Sequence, residues 1–152
     1  MGCVRLTERF LTEQPPTEAS IDAAREYVAK LLHEVEDHVD LKAVTRVVGV
    51  AGTMTTLASL EQGLDSYQPE RNHMHTTSLA RIRETALSLL PKTPEQRAEL
   101  GPMHPGRADV VGGGALVVEA FTTLFENQGL ADITVSEKDI LDGMLAEVID
   151  RN

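Results

Sequence analysis

At 152 residues the chain is long enough to bury a real core, and it reads as a single domain. A formal net charge of −10 argues against non-specific binding to nucleic acid or anionic membranes, so an anionic ligand would need a local site. Cys3 stands alone, no run approaches the roughly 18 apolar residues of a membrane span, and MGCVRLTERF lacks a signal layout, so a cytoplasmic chain without disulfides is expected.

Val4, Leu6, Phe10 and Leu11, set among charges, predict a short helix over 4–11. Pro15-Pro16 breaks the chain. Thr17 is then placed to cap a long helix whose apolar residues Ile21, Ala24, Val28, Leu31, Leu32 and Val35 recur at helical spacing. Glu34, Glu36, Asp37 and Asp40 read as its solvated face. Next comes Arg46 to Leu60, RVVGVAGTMTTLASL. Val47, Val48, Val50 and Ala51 form a nearly unbroken apolar run, as in a strand buried on both faces. The run stops at Gly52-Thr53, and Met54 to Leu60 continues as helix toward Gly63, a residue suited to the helix end.

Residues 64–72 read as a loop, and His73 to Ser78 as a short strand leading to an N-cap at Thr77 or Ser78. Leu79, Ile82, Ala86, Leu89 and Leu90 mark the apolar face of the next helix, which ends at Pro91. Thr93-Pro94 opens a short helix to Leu100, and Gly101-Pro102 ends it. From Gly106, the residues Val110, Val111, Leu116, Val117, Val118, Phe121, Leu124 and Phe125 predict a helix apolar almost all round and therefore buried, closed by Gly129. Asp132 to Ser136 reads as a short strand, and Ser136 with Asp139 has the spacing of a capping box. A final helix is expected to bury Ile140, Leu141, Met144, Leu145 and Val148. Short strands alternating with helices define an α/β layer fold, helix-rich with about three strands. With three Phe, two Tyr and no Trp, its core must be aliphatic.

Three glycine-bearing stretches are candidate phosphate sites. At Gly49 to Thr53 a strand turns into a helix, leaving free N–H groups and a positive dipole end, with Thr53, Thr55 and Thr56 offering hydroxyls. Tight strand–helix packing explains the same glycines equally simply. In Pro105-Gly106-Arg107-Ala108-Asp109, a cation near a helix start is unfavourable and needs a reason, either an ion pair with Asp109 or a neighbour, or an anionic ligand. Gly112-Gly113-Gly114 sits within continuing helical spacing and reads as close packing. His73-x-His75 has the spacing of a metal pair but no Cys or carboxylate close beside it, so no metal ligand is assigned. Glu119, isolated in the apolar helix, reads as an ion pair or a partly exposed residue rather than a general base. No nucleophile elbow, Walker loop or H-E-x-x-H is present, and no catalytic residue is assigned.

Four blocks in order, G-C-V-R-L-T-E-R-F at 2–10, V-G-V-A-G-T at 48–53, H-P-G-R-A-D-V at 104–110 and V-S-E-K-D-I-L-D-G-M-L at 135–145, resemble the exopolyphosphatase/guanosine pentaphosphate phosphatase (Ppx/GppA) family. Each is weak alone; together they cover nearly the whole chain. The resemblance implies the actin-like ATPase superfamily, with two ribonuclease-H-like domains and a cleft between them. It implies removal of terminal phosphate from polyphosphate or guanosine pentaphosphate with a divalent metal, usually Mg²⁺. It also favours Gly49, Gly52 and Thr53 as cleft-lining residues and Arg107 as a phosphate contact.

The departures are as informative. The family's first phosphate loop (D-x-G-S-N-S type), its water-positioning glutamate and its second loop (D-x-G-G-G-S-T-E) are not found in these residues. The expectation is therefore an incomplete ribonuclease-H-like domain, 1–152, resembling the family's second domain without the first domain or the opening β-meander. It would be part of an exopolyphosphatase-type hydrolase, inactive alone, and self-associating as a homodimer to cover an open sheet edge. The alternatives are a non-catalytic module that binds a phosphorylated ligand or a partner and, more remotely, an unrelated small nucleotide binder.

Overall fold

The structure, a computed structural model, describes residues 2–150. Helix α1 (Cys3–Phe10) leads into α2 (Glu18–Glu36), whose cap is the predicted one: the Thr17 hydroxyl accepts from the Ser20 N–H at 3.3 Å. Strand β1 (Val47–Gly49), helix α3 (Ala51–Glu61), a short α4 (Pro69–Asn72) and strand β2 (His75–Ser78) follow. Then come α5 (Leu79–Leu87), α6 (Pro94–Ala98), α7 (Val111–Asn127), β3 (Asp132–Val135) and α8 (Ile140–Asp150). Ser78 caps α5, and Thr93 with Gln96 forms a reciprocal capping box on α6.

The sheet is mixed, in the order β1-β3-β2, with β3 parallel to β1 and antiparallel to β2. One face carries Val47, Ile133 and Val135 into a core shared with Leu57, Leu79, Ile82 and Leu116, all aliphatic as the composition requires. Each such side chain contributes about 1.5–3 kcal/mol by leaving water. The other face is partly exposed. Val48 is 50% exposed, and the Thr76 and Thr134 hydroxyls pair there at 2.9 Å.

Several expectations change in this setting. The run 47–51 is not a strand buried on both faces: Val48 and Val50 (44% exposed) lie open because helices cover only one side of this short strand. The following helix begins at Ala51 rather than Met54, entered through a left-handed backbone at Ala51 (φ 66°). The loop at 64–72 contains the short α4, and the strand predicted from His73 starts at His75. The buried apolar helix begins at Val111, after a separate 3₁₀ turn at Pro105–Arg107. The cap of α8 is Asp139 rather than Ser136: its carboxylate accepts from Leu141 N–H, and Asp142 accepts from Asp139 N–H. That hydrogen bond, aided by Lys138, holds the Asp142 carboxyl below its usual range.

The largest correction is α8 itself. Ile140, Leu141, Met144, Leu145 and Val148, the stripe predicted to be buried, are 57–76% exposed and face solvent, as does the neighbouring Ile149. Periodicity establishes that a helix has an apolar face, not that anything lies against it.

The three glycines of α7 are packing residues, as their spacing suggests. A Cβ at Gly113 would lie 2.5 Å from the Cys3 carbonyl oxygen and 2.6 Å from Thr7 Oγ1, so the close approach of α1 to α7 depends on its absence. Gly113→Ala is expected to cost about 2 kcal/mol by overpacking, because backbone rather than a flexible side chain must yield. Chemical denaturation would check this, and a loss below about 0.5 kcal/mol would show that α1 rides on α7 more loosely than the geometry indicates.

Candidate functional site

The parallel strands β1 and β3 end on the same side of the sheet, and in open α/β sheets that side holds the ligand. After β1 the chain passes through extended Val50 and left-handed Ala51 into α3, whose first turn has no side-chain cap. The N–H groups at the start of such a helix lack intrahelical partners and carry the positive end of its dipole.

Arg107 stands against this turn. Its Nη1 donates to the Gly52 carbonyl and to Thr56 Oγ1, both at 3.1 Å. A Cβ at Gly52 would lie 2.3 Å from the guanidinium carbon, so glycine is what lets the guanidinium lie against the helix backbone. Of the two reasons open for this arginine, an ion pair with Asp109 is not formed. No carboxylate pairs with Arg107 among the described residues, and its Nε and Nη2 make no hydrogen bond to them. A cation beside an uncapped helix N-terminus is electrostatically unfavourable until an anion joins it.

The four candidate residues divide in space. Gly52, Thr53 and Arg107 line a cleft of about 380 Å³ between the start of α3 and α7, with Val117 and Phe121 among its apolar walls. Gly49 is not brought to it. A Cβ there would meet Met54 Cε at 2.8 Å and Ile133 Cδ1 at 3.2 Å, so this glycine packs the core, while its carbonyl accepts from Ser136 N–H. Of the three threonines expected to offer hydroxyls, Thr53 remains at the cleft beside Gly114. Thr55 and Thr56 are buried, and Thr56 holds Arg107 in place instead.

The turn carrying Arg107 is anchored from behind by Arg97, which sequence reasoning did not single out. Arg97 is fully buried; its guanidinium donates to the carbonyls of Leu89 (2.8 Å), Ala108 (3.1 Å) and Leu90 (3.4 Å), and to Gln14 Oε1. Gln14 in turn donates to the Asp109 carbonyl at 2.7 Å. Burial lowers the Arg97 pKa, and the charge of Asp109 opposes that shift. His104 completes the turn, its Nδ1 accepting from Gly106 N–H at 3.1 Å.

A polar network at the end of β3 was also missed. Tyr67 OH donates to both Glu137 oxygens at 2.8 Å, and Asn72 Nδ2 donates to Glu137 Oε1 at 3.1 Å. The Ser59 hydroxyl and Gln62 amide donate to Asn72 Oδ1. Burial raises the Tyr67 phenol above its ordinary pKa, and the Glu137 carboxylate adds to the shift. The available signal was position, since Ser136-Glu137 directly follows a strand at the sheet's ligand-bearing end.

The two histidines of His73-x-His75 part company. His73 Nδ1 accepts from Glu137 N–H, while His75 Nε2 lies 2.8 Å from the buried Glu61 carboxylate, which Arg81 also meets at 2.6 Å. Among the described residues no group of three or more His, Cys, Asp or Glu is placed to hold a metal ion. Glu119 is paired with Arg25 through two hydrogen bonds, at 2.9 and 2.8 Å.

Likeness to solved structures assigns this mixed sheet and its helices to the actin-like ATPase fold of Ppx/GppA proteins. An exopolyphosphatase-like protein superposes with a TM-score of 0.96 at 33% identity, covering 99% of this chain and 49% of that one. The Aquifex aeolicus Ppx/GppA family member gives 0.83 at 29% identity, covering 99% and 47%. Exopolyphosphatase 2 of Mycobacterium tuberculosis is 46% identical over 145 residues, 95% of this chain and 46% of that protein. The model of the Ppx/GppA phosphatase family matches residues 1–152. The chain belongs to the Ppx/GppA phosphatase family, and it spans about half the length of the exopolyphosphatases it matches.

Proposed function

We propose that this chain is the second-domain portion of an exopolyphosphatase-type hydrolase, and that it grips the phosphate end of polyphosphate or guanosine pentaphosphate without hydrolysing it alone. One observation carries the reading: Arg107, free of any carboxylate among the described residues, stands against the uncapped first turn of α3. The N–H groups of that turn and the free edge of the guanidinium would receive phosphate oxygens, with Gly52 and Thr53 keeping the approach open. In-line phosphoryl transfer also needs a positioned water and charge stabilisation on the opposite side. The described residues supply one side. Mg²⁺ would then be held chiefly by the phosphate oxygens of the ligand.

The test is titration of the purified chain with polyphosphate, together with Mg²⁺-dependent phosphate release. Binding without release is expected. Release above background that falls on Arg107→Ala would overturn the claim of inactivity, and absence of binding would overturn the phosphate-gripping reading itself. A non-catalytic binding module predicts the same binding; in-frame D-x-G-S-N-S and D-x-G-G-G-S coding sequence upstream would mark the enzyme portion.

Among the described residues no helix is long and apolar enough to cross a membrane, and a cytoplasmic setting belongs to this reading. So does a homodimer. The exposed stripe of α8 suits a two-fold contact with a second copy, in which the same face serves both subunits. Sedimentation should show a dimer that Leu141→Glu with Leu145→Glu converts to monomer. A wild-type monomer at high protein concentration would reject the dimer.

A further inference from the structure

We infer that Thr56 is a positioning residue: it holds the Arg107 guanidinium in an orientation that presents two donors, Nε and Nη2, together to an oxyanion. The inference rests on the phosphate-gripping reading and names what sets the strength of that grip.

The orientation follows from Gly52. A Cβ there would lie 2.3 Å from Arg107 Cζ, 2.4 Å from Nη2 and 2.7 Å from Nε. A point so nearly equidistant from three adjacent atoms of a flat group lies over its face rather than beside its edge. The guanidinium is therefore laid flat over Gly52. Its Nη1 is engaged, donating to the Gly52 carbonyl and to Thr56 Oγ1, both at 3.1 Å. Nε and Nη2 donate to none of the described residues. Because the group is a rigid plane, fixing its face and one corner fixes the direction of the opposite edge. Two parallel donors on that edge match two oxygens of one phosphoryl group.

Thr56 is the part of this arrangement that a side chain controls. It is fully buried within α3, and the contact with Arg107 is the one hydrogen bond of its hydroxyl to the described residues. A buried hydroxyl left without a partner is costly, so Thr56 and Arg107 hold each other. The Gly52 carbonyl alone would leave the guanidinium free to swing about a single hydrogen bond; Thr56 supplies the second anchor. An arginine ordered before its ligand arrives loses less conformational freedom on binding.

The experiment measures calorimetric binding of tripolyphosphate to the wild-type chain, Thr56→Val, Thr56→Ser, Arg107→Ala and the double variant Thr56→Val with Arg107→Ala. Thr56→Val keeps the shape and removes the acceptor. It should weaken binding about three- to tenfold, the scale of ordering one rotamer-rich side chain. Thr56→Ser keeps the hydroxyl, loses the methyl and should bind as the wild type does, whereas a packing role predicts the reverse order. Added to Arg107→Ala, Thr56→Val should cost no further affinity, because the residue it acts through is gone. Thermal melting checks that each variant folds, and Thr56→Ala, also without the hydroxyl, replaces Thr56→Val if that chain does not. Wild-type affinity in the hydroxyl-free variant, a loss in Thr56→Ser as large as in Thr56→Val, or an undiminished Thr56→Val effect in the Arg107→Ala chain would each overturn the positioning role and leave the phosphate reading standing. Failure of the wild type to bind would remove the phosphate reading and this inference with it.

Discussion

Arg107→Ala is expected to weaken polyphosphate binding by about 10- to 100-fold, the scale of one charge-assisted hydrogen bond of about 1.5–3 kcal/mol. The substitution removes the cation but leaves the N–H groups of the α3 turn, so weak residual binding should remain. Arg107→Lys should recover part of the loss, since it restores charge without the planar guanidinium that meets Gly52 and Thr56 and, in the proposed reading, would meet a phosphate. Calorimetric titration at two salt concentrations would measure both effects, with a shallower salt dependence for the alanine variant. Unchanged affinity in Arg107→Ala would mean that phosphate binds elsewhere. Thermal melting of the same sample separates this from unfolding, because Thr56 and the Gly52 carbonyl each lose a partner.

The second large effect is expected at Arg97. Replacement by Met keeps much of the apolar stem and removes the guanidinium, leaving the carbonyls of Leu89, Leu90 and Ala108 and the Gln14 amide short of a donor in the interior. Leaving a buried acceptor without its donor costs about 1–3 kcal/mol, so a loss of about 3–5 kcal/mol is expected when these four lose theirs together. That is a large share of the total stability of a domain this size. Urea denaturation would check it; a loss under about 1 kcal/mol would mean that water or repacking satisfies those carbonyls. Because Ala108 directly follows Arg107, a variant that still folds should also bind polyphosphate more weakly. The Arg25–Glu119 pair makes the contrast: it lies on the surface, where such pairs contribute about 0–1 kcal/mol.

Much of the architecture was legible because it depends on neighbours in sequence. Thr17, Ser78 and Thr93 cap the helices they precede, since a cap needs only the N–H groups a few residues on. The apolar circumference of α7 and its three glycines indicated a buried, tightly packed helix, and the structure sets Gly112, Gly113 and Gly114 against Arg97, α1 and Thr53. The strand-to-helix corner with Gly52 and Thr53 was visible for the same reason, and so was the ordered set of blocks that relates the chain to the Ppx/GppA family.

Other features were fixed by what the chain folds against. Gly49 and Gly52 look alike in sequence, yet one faces Met54 and Ile133 in the core while the other receives a guanidinium from 55 residues away. Arg97 and the Tyr67–Glu137 pair carry no periodic signal, because a polar group's burial depends on acceptors brought from distant segments. The same reasoning accounts for α8 and Val48. Spacing along a helix or strand determines that an apolar face exists; only the tertiary structure decides whether another element covers it, because burial belongs to a pair of surfaces.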